Sequence, residues 1–290
     1  MNKKGIFFCV ISAILYGIAP LVTKMVYAHG VHAIGLSFYR CLFSLPFLYG
    51  MAINKHENLA IDKPLRKNVI LVGLLGSTLT TLFLNLAYSY IDMGTASTLH
   101  FMHPMFVTLM CVIIYKEKLG WLKIISLVLA VSGVSMFMDM GNLSNSTGVF
   151  FAILSGFTYA CYFLGIDKFN LKRIPMFVLS FWVAVIACLG FFILGMMTKT
   201  LFIPDSIELF FLLLMNAIIC QVLAVTLLQI GIGFLGSQSA SLLSLFEPVT
   251  SVFVGILILC ESFSYLKILG CILILAAVMI HMQGNKAKSS

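Results

Sequence analysis

TASTLHFMHPMFVTLMCVIIYKEKLGWLKI, Thr95–Ile124, returns 144 residues later as SASLLSLFEPVTSVFVGILILCESFSYLKI, Ser239–Ile268. Ala96, Ser97, Leu99, Pro104, Ile114, Glu117 and the run Leu122, Lys123, Ile124 are all met again without a gap. Each copy is an apolar run with a proline inside it and a glutamate thirteen residues after that proline. A run of about 20 apolar residues crosses a hydrocarbon core of roughly 30 Å as a helix. Proline has no N–H to give to the carbonyl four residues back, so Pro104 strands that of His100 and Pro248 that of Ser244. A break is tolerable at membrane depth only where the backbone lines a cavity or is buried in protein. The second copy adds Glu247 directly before its proline. A charge near the bilayer centre costs about 2.5–3.5 kcal/mol on insertion scales, so it too should face protein or water.

The duplication extends outward from this pair. GIFFCVISAILYGIAP from Gly5 aligns with GVFFAILSGFTYACYF from Gly148, so Gly5, Phe7, Phe8, Ser12 and Tyr16 recur as Gly148, Phe150, Phe151, Ser155 and Tyr159. LSFYR at Leu36 meets LSFWV at Leu179, and Asn85 meets Gln229. The register is nearly constant over the chain and divides it into repeats 1–141 and 142–290. The opening basic-then-apolar segment has the look of a signal peptide. Its internal copy makes a retained first span the expectation.

Of the 290 residues, 61% are hydrophobic and 10% charged, which excludes a soluble domain. Ten spans are expected: Gly5–Val26, His32–Ile53, Asn68–Ile91, Thr95–Tyr115 and Trp121–Met140, then Thr147–Ile166, Ile174–Met197, Ile207–Gly233, Gln238–Cys260 and Tyr265–Gln283. They lack the short alternating segments of a barrel. The fold class is therefore an all-α integral membrane protein. Five spans per copy is an odd number, so the second copy enters the membrane from the opposite side. Ten helices as two inverted five-helix repeats is a transporter architecture, with the substrate site near the midplane between the repeats.

The net charge of +8 reports orientation. With the N-terminus inside, fourteen of the 18 Lys and Arg residues fall on that side, and Lys24, Lys199 and Lys267 on the other. Arg40 lies within a span. This bias follows the positive-inside rule. It predicts cytoplasmic termini in a cell (plasma or inner) membrane, and it leaves no basic patch for nucleic acid. The eight cysteines all fall in spans, form no CxxC pair and read as small packing residues.

With these residues in view the chain resembles the drug/metabolite transporter superfamily, EamA type. The resemblance rests on HPMFVTLMCVIIYKE with Pro104 and Glu117, on EPVTSVFVGILILCE with Pro248 and Glu261, and on FYR with Arg40. It covers essentially the whole chain. It implies a small-metabolite carrier, often an exporter of amino acids or related compounds, with a cavity built from the first, third and fourth helices of each repeat. It also marks the terminal glutamates as a general family feature; by position they read as solvated or loop-capping groups.

The polar residues of the spans supply the candidate site. Ser241, Ser244 and Glu247 are spaced by three, as are their repeat partners Ser97, His100 and His103. Asn85 and Gln229 stand on the third helices, in the series Ser77, Thr81, Asn85 and Gln221, Val225, Gln229, and Tyr16 and Tyr159 on the first. All ten are candidates for substrate contact. Glu247 has four open roles: binding a substrate amine, carrying a proton, pairing with Arg40, or hydrogen-bonding to free backbone. Imidazole packing or backbone hydrogen bonding is the competing use of the histidines and serines.

The function expected is a secondary-active carrier of a small polar metabolite, an amino acid or related compound, exported by alternating access. A proton or another ion is the expected coupling partner, and the carrier is a monomer or homodimer in the bilayer. A lipid-linked sugar flippase of similar fold is the alternative. An intramembrane enzyme using His100, His103 and Glu247 ranks below both, because the two histidines sit on one helix with no HExxH and no further ligand in the same repeat. GxSxG, P-loop and ATP-binding segments are absent from the sequence, so no cofactor, metal or catalytic residue is expected.

Overall fold

The computed structural model describes residues 2–91, 93–118, 120–137, 145–258 and 265–286, with the backbone alone for 284–286. Among these residues there is no strand. The spans are α1 (Lys3–Ala28), α2 (Ala33–Asn54), α3 (Lys63–Tyr88), α4 (Met93–Ile113) and α5 (Trp121–Ser135), then α6 (Ser146–Lys168), α7 (Met176–Thr198), α8 (Ile207–Leu235), α9 (Ser237–Leu257) and α10 (Tyr265–Lys286). Nine of them are long and apolar enough to cross a membrane; α5 has 15 described residues. The expected spans to Met140 and Cys260 end outside the described residues, and so does Glu261.

The repeat is visible in how the helices start. Asn2 accepts from the N–H of Lys4 at 3.0 Å, and Asn145, its counterpart, from those of Thr147 and Gly148. Each side chain satisfies orphan donors of a first turn. Side-chain caps are local, so the same residue at the same repeat position starts the same helix.

Packing crosses the repeat boundary. α1 lies on α8 and α9, and α6 lies on α3 and α4, so each repeat's first helix is held by the other repeat. α2 packs on α7 and α5 on α10. Where α5 meets α10, a Cβ on Gly133 would come within 2.8 Å of the Gly270 carbonyl oxygen, and one on Gly270 within 2.6 Å of that of Gly133. Only glycine allows this approach, the small-residue contact of helices in lipid.

Two irregularities recur in both halves. α3 widens into a π-helical turn at Gly73–Leu79, and α8 does the same at Ala217–Ala224. The hydroxyls of Thr78 and Thr80 lie within hydrogen-bond reach of the carbonyls of Gly73 and Leu75 in this turn. α4 breaks at Phe101–Met102 and α9 at Ser244–Leu245, just ahead of the prolines.

The carbonyls expected to be stranded by proline have partners. The Ser244 carbonyl accepts from the Glu247 N–H at 2.9 Å, a tightened turn. That of His100 faces His103 Nδ1 at 3.3 Å. Neighbouring helices fit these breaks closely: a Cβ on Gly156 would lie 2.9 Å from the His100 oxygen, and one on Gly17 2.8 Å from the Glu247 oxygen.

Candidate functional site

Two cavities adjoin at the middle of the bundle. The inner one, about 230 Å³, is walled by α1, α2, α3, α6, α7 and α8, with His100 and Glu247 contributed by the two broken helices. The outer one, about 400 Å³, extends along α1, α4 and α9 to the exposed Met93 and Lys267. Leu84, Tyr88, His100 and Glu247 stand in both walls. Both π turns serve the inner cavity, since Gly76 and Ser77 come from one and Gln221 from the other. Such turns are frequent at functional sites because they re-aim side chains off the regular helix.

The candidates divide into two groups. Tyr16, Arg40, Asn85, His100, Tyr159 and Glu247 line the inner cavity. Ser97 and Pro248 line the outer one. His103, Pro104, Gln229, Ser241 and Ser244 line neither; they are buried behind the wall. The stripe Ser241, Ser244, Glu247 does not hold together, for two reasons. A helix turns about 100° per residue, so steps of three drift by about 60° each. The break at Ser244–Leu245 then reorients the half that carries Glu247. In α8 the π turn shifts the phase between Gln221 and Gln229, leaving Gln221 in the cavity wall and Gln229 behind it.

The buried group supports the wall. Gln229 accepts from Ser180 at 2.7 Å and donates to the Tyr162 hydroxyl at 2.8 Å, and Tyr162 lines the cavity. Ser241 donates to its own helix, at the Gln238 carbonyl. His103 Nε2 is hydrogen-bonded to the Ser244 hydroxyl at 2.9 Å, that hydroxyl also lies 2.7 Å from the Ser241 carbonyl, and Nδ1 faces the His100 carbonyl at 3.3 Å. The bond to Ser244 ties the break of α4 to the break of α9. Around it, the rings of His100 and His103 pack on Tyr159, and His103 stacks on Phe163. Among the described residues no group of three or more His, Cys, Asp or Glu side chains is placed to hold a metal.

Arg40 is placed unlike an ion-pair member. Its cavity contains Glu247, but among the described residues no carboxylate lies within 4.0 Å of the guanidinium. One contact, Nη2 to the Thr81 hydroxyl at 3.4 Å, is at the limit of hydrogen-bond length. Wall residues outside the candidate set include Tyr27, Tyr88, Asn216 and Gln221. Asn216 and Gln221 had a signal, as isolated amides in an apolar run. Nothing in the sequence distinguishes Tyr27 from other tyrosines at span ends.

At the opposite, lysine-rich end of the bundle, side chains of the two repeats meet beside a cavity of about 420 Å³. Glu117 is partly exposed but is more than a solvated helix end: it receives Lys168 at 2.6 Å and Gln238 at 3.0 Å, both from the other repeat. Lys123 donates in turn to Gln238 at 2.6 Å. Asp167 accepts from the backbone and hydroxyl of Ser237. Phe8 stacks on Phe234 beside them.

A profile of the EamA-like transporter family matches residues 3–138 and again 146–283. The chain is 24% identical to an uncharacterized transporter of Archaeoglobus fulgidus, over 86% of this chain and 88% of the relative. It is 24% identical to an uncharacterized transporter of Clostridium kluyveri, over 98% and 94%. Human solute carrier family 35 member G1 is 28% identical over 46% of this chain and 36% of its own length. A crystal structure of a protein 16% identical in sequence superposes with a TM-score of 0.81 over the full length of both chains, which is a likeness of fold.

Proposed function

Because the chain belongs to the EamA-like transporter family and is a membrane transporter, we propose that it is a secondary carrier of a small polar solute, an amino acid or related compound, working by alternating access. The observation that carries this reading is a polar cavity walled by both repeats, with a route at one end and an inter-repeat lock at the other. By the positive-inside rule the locked, lysine-rich end is cytoplasmic. The state is then outward-facing, and the termini are cytoplasmic in a cell membrane. Rocking of the repeats about the buried His103–Ser244 contact would open the locked end, and the direction proposed is export.

The inner cavity has the space of roughly eight water molecules, at about 30 Å³ each. That is the scale of a small metabolite. Glu247 is the residue proposed to couple transport to a proton or other ion. We read the protein as non-enzymatic.

The test is counterflow in proteoliposomes. Vesicles preloaded with single unlabelled amino acids are given the labelled compound, with and without an imposed pH gradient. Accelerated exchange of at least one amino acid is expected. An absence of exchange across the proteinogenic set would overturn the cargo assignment.

A further inference from the structure

Three buried nitrogen donors without partners belong to residues that wall one cavity. Arg40 Nε, Asn85 Nδ2 and Gln221 Nε2 are each shielded from solvent and lack a hydrogen bond in the structure. Their residues all line the inner cavity, Arg40 from α2, Asn85 from α3 and Gln221 from α8 of the other repeat. A buried donor left unmade costs about 1–3 kcal/mol, and more when it is charged. Three such costs around one space are relieved together by one acceptor that reaches all three. We propose that Arg40, Asn85 and Gln221 form a receptor for a carboxylate of the carried solute, an inference that rests on the transport reading above.

The chemistry of the acceptor follows from the donors. A guanidinium presents a planar fork that matches a carboxylate with two parallel bonds. The amides of Asn85 and Gln221 supply neutral donors for the lone pairs that remain. Among the described residues Arg40 is the only Arg or Lys in the wall of this cavity. One fixed positive charge balances a carboxylate and falls short of a phosphate dianion. Glu247 stands apart from the guanidinium, on the flank shared with the outer cavity. Anion receptor and carboxylate therefore face one solute from two sides, which suits a molecule with a carboxylate at one end and an amine at the other. Because the donors come from both repeats, a bound carboxylate would also hold the halves together across their interface.

The same account makes the receptor a liability in the empty protein. An arginine used for structure stabilises the fold, whereas one reserved for solute stabilises it only when solute is present. Arg40→Met keeps the aliphatic stem and removes the unpaired charge.

The experiment measures thermal unfolding of purified protein in lipid nanodiscs. The probes are L-alanine, L-threonine, L-leucine, L-phenylalanine and L-glutamine, their carboxamides, acetate and inorganic phosphate. At about tenfold excess over its Kd, a carboxylate-bearing probe should raise the Tm of wild type by a few degrees. The matching carboxamide and phosphate should not. Empty Arg40→Met should unfold at or above the wild-type temperature and show no carboxylate response. Arg40→Lys, without the fork, should bind roughly 10- to 100-fold more weakly. A Tm for empty Arg40→Met several degrees below wild type would assign Arg40 to structure and overturn the proposal. Equal responses to acids and amides, a preference for phosphate, or no response to any carboxylate would do the same. Carboxylate binding without counterflow in vesicles would sink the transport reading and leave the receptor standing.

Discussion

Glu117→Gln should unlock the lysine-rich end. The wild-type carboxylate takes Lys168 on one oxygen at 2.6 Å and Gln238 on the other at 3.0 Å. The side chains of Lys168 and Glu117 are 24% and 34% exposed, so water competes and the pair is worth less than a buried one. Exposed pairs contribute about 0.2–1 kcal/mol. A buried hydrogen bond to a charged group contributes about 1.5–3 kcal/mol. Between these limits the substitution should cost the locked state about 1–2 kcal/mol. Lys168 is not left isolated by the change, since Asp167 remains 3.7 Å away. A shift of that size changes a two-state ratio roughly 5- to 30-fold. The reporter is Ser241→Cys, placed at a fully buried position behind the lock, in a background with the eight native cysteines replaced. Its modification by a water-soluble methanethiosulfonate, in nanodiscs, should accelerate by about that factor. Lys168→Met should act in the same direction, and the double variant should gain little more, because the two residues share one contact. Unchanged rates in both single variants, or full additivity in the double, would refute a lock made by this pair.

Glu247→Gln should keep the fold while losing concentrative uptake driven by a pH gradient, measured in proteoliposomes; full concentrative uptake would remove Glu247 from coupling. Pro104→Ala and Pro248→Ala should insert normally yet slow exchange, because the restored N–H favours a continuous helix over the tightened turns seen at both breaks; unchanged rates in both would make the breaks incidental. Gly76→Ala should lower Tm and slow exchange, since its Cβ would run into the side chain of Tyr162 and overpacking costs about 1–3 kcal/mol; a variant of wild-type stability would show that α3 and α6 separate freely there. His103→Phe should retain the ring packing but lose the bond to Ser244 and the partner of the His100 carbonyl, for a loss of about 1–3 kcal/mol read by thermal unfolding.

What the sequence by itself determined was whatever depends on near neighbours along the chain. The length of an apolar run decides that it crosses the membrane. Pro104 and Pro248 mark where α4 and α9 lack an N–H, yet proline alone does not decide a break, since α1 and α2 run on through Pro20 and Pro46. The register from Thr95 to Ser239, with five spans per copy, decides that the halves are inverted. Arg40 and Glu247 were legible as residues that need protein or water around them, because a charge at that depth is costly wherever it points. Tertiary structure decided which way the remaining groups face. The π turns at Gly73–Leu79 and Ala217–Ala224 carry no proline, and they set the phase that brings Gln221 to the cavity and turns Gln229 from it. Glu117 looked like a loose helix end because Lys168 and Gln238 lie 51 and 121 residues away along the chain. Arg40 and Glu247 share a cavity without pairing, an outcome fixed by the spacing of helices from opposite repeats. The reason is common to these cases. Each first helix is held by the other repeat, so the orientation of a side chain depends on contacts that no local window of sequence contains.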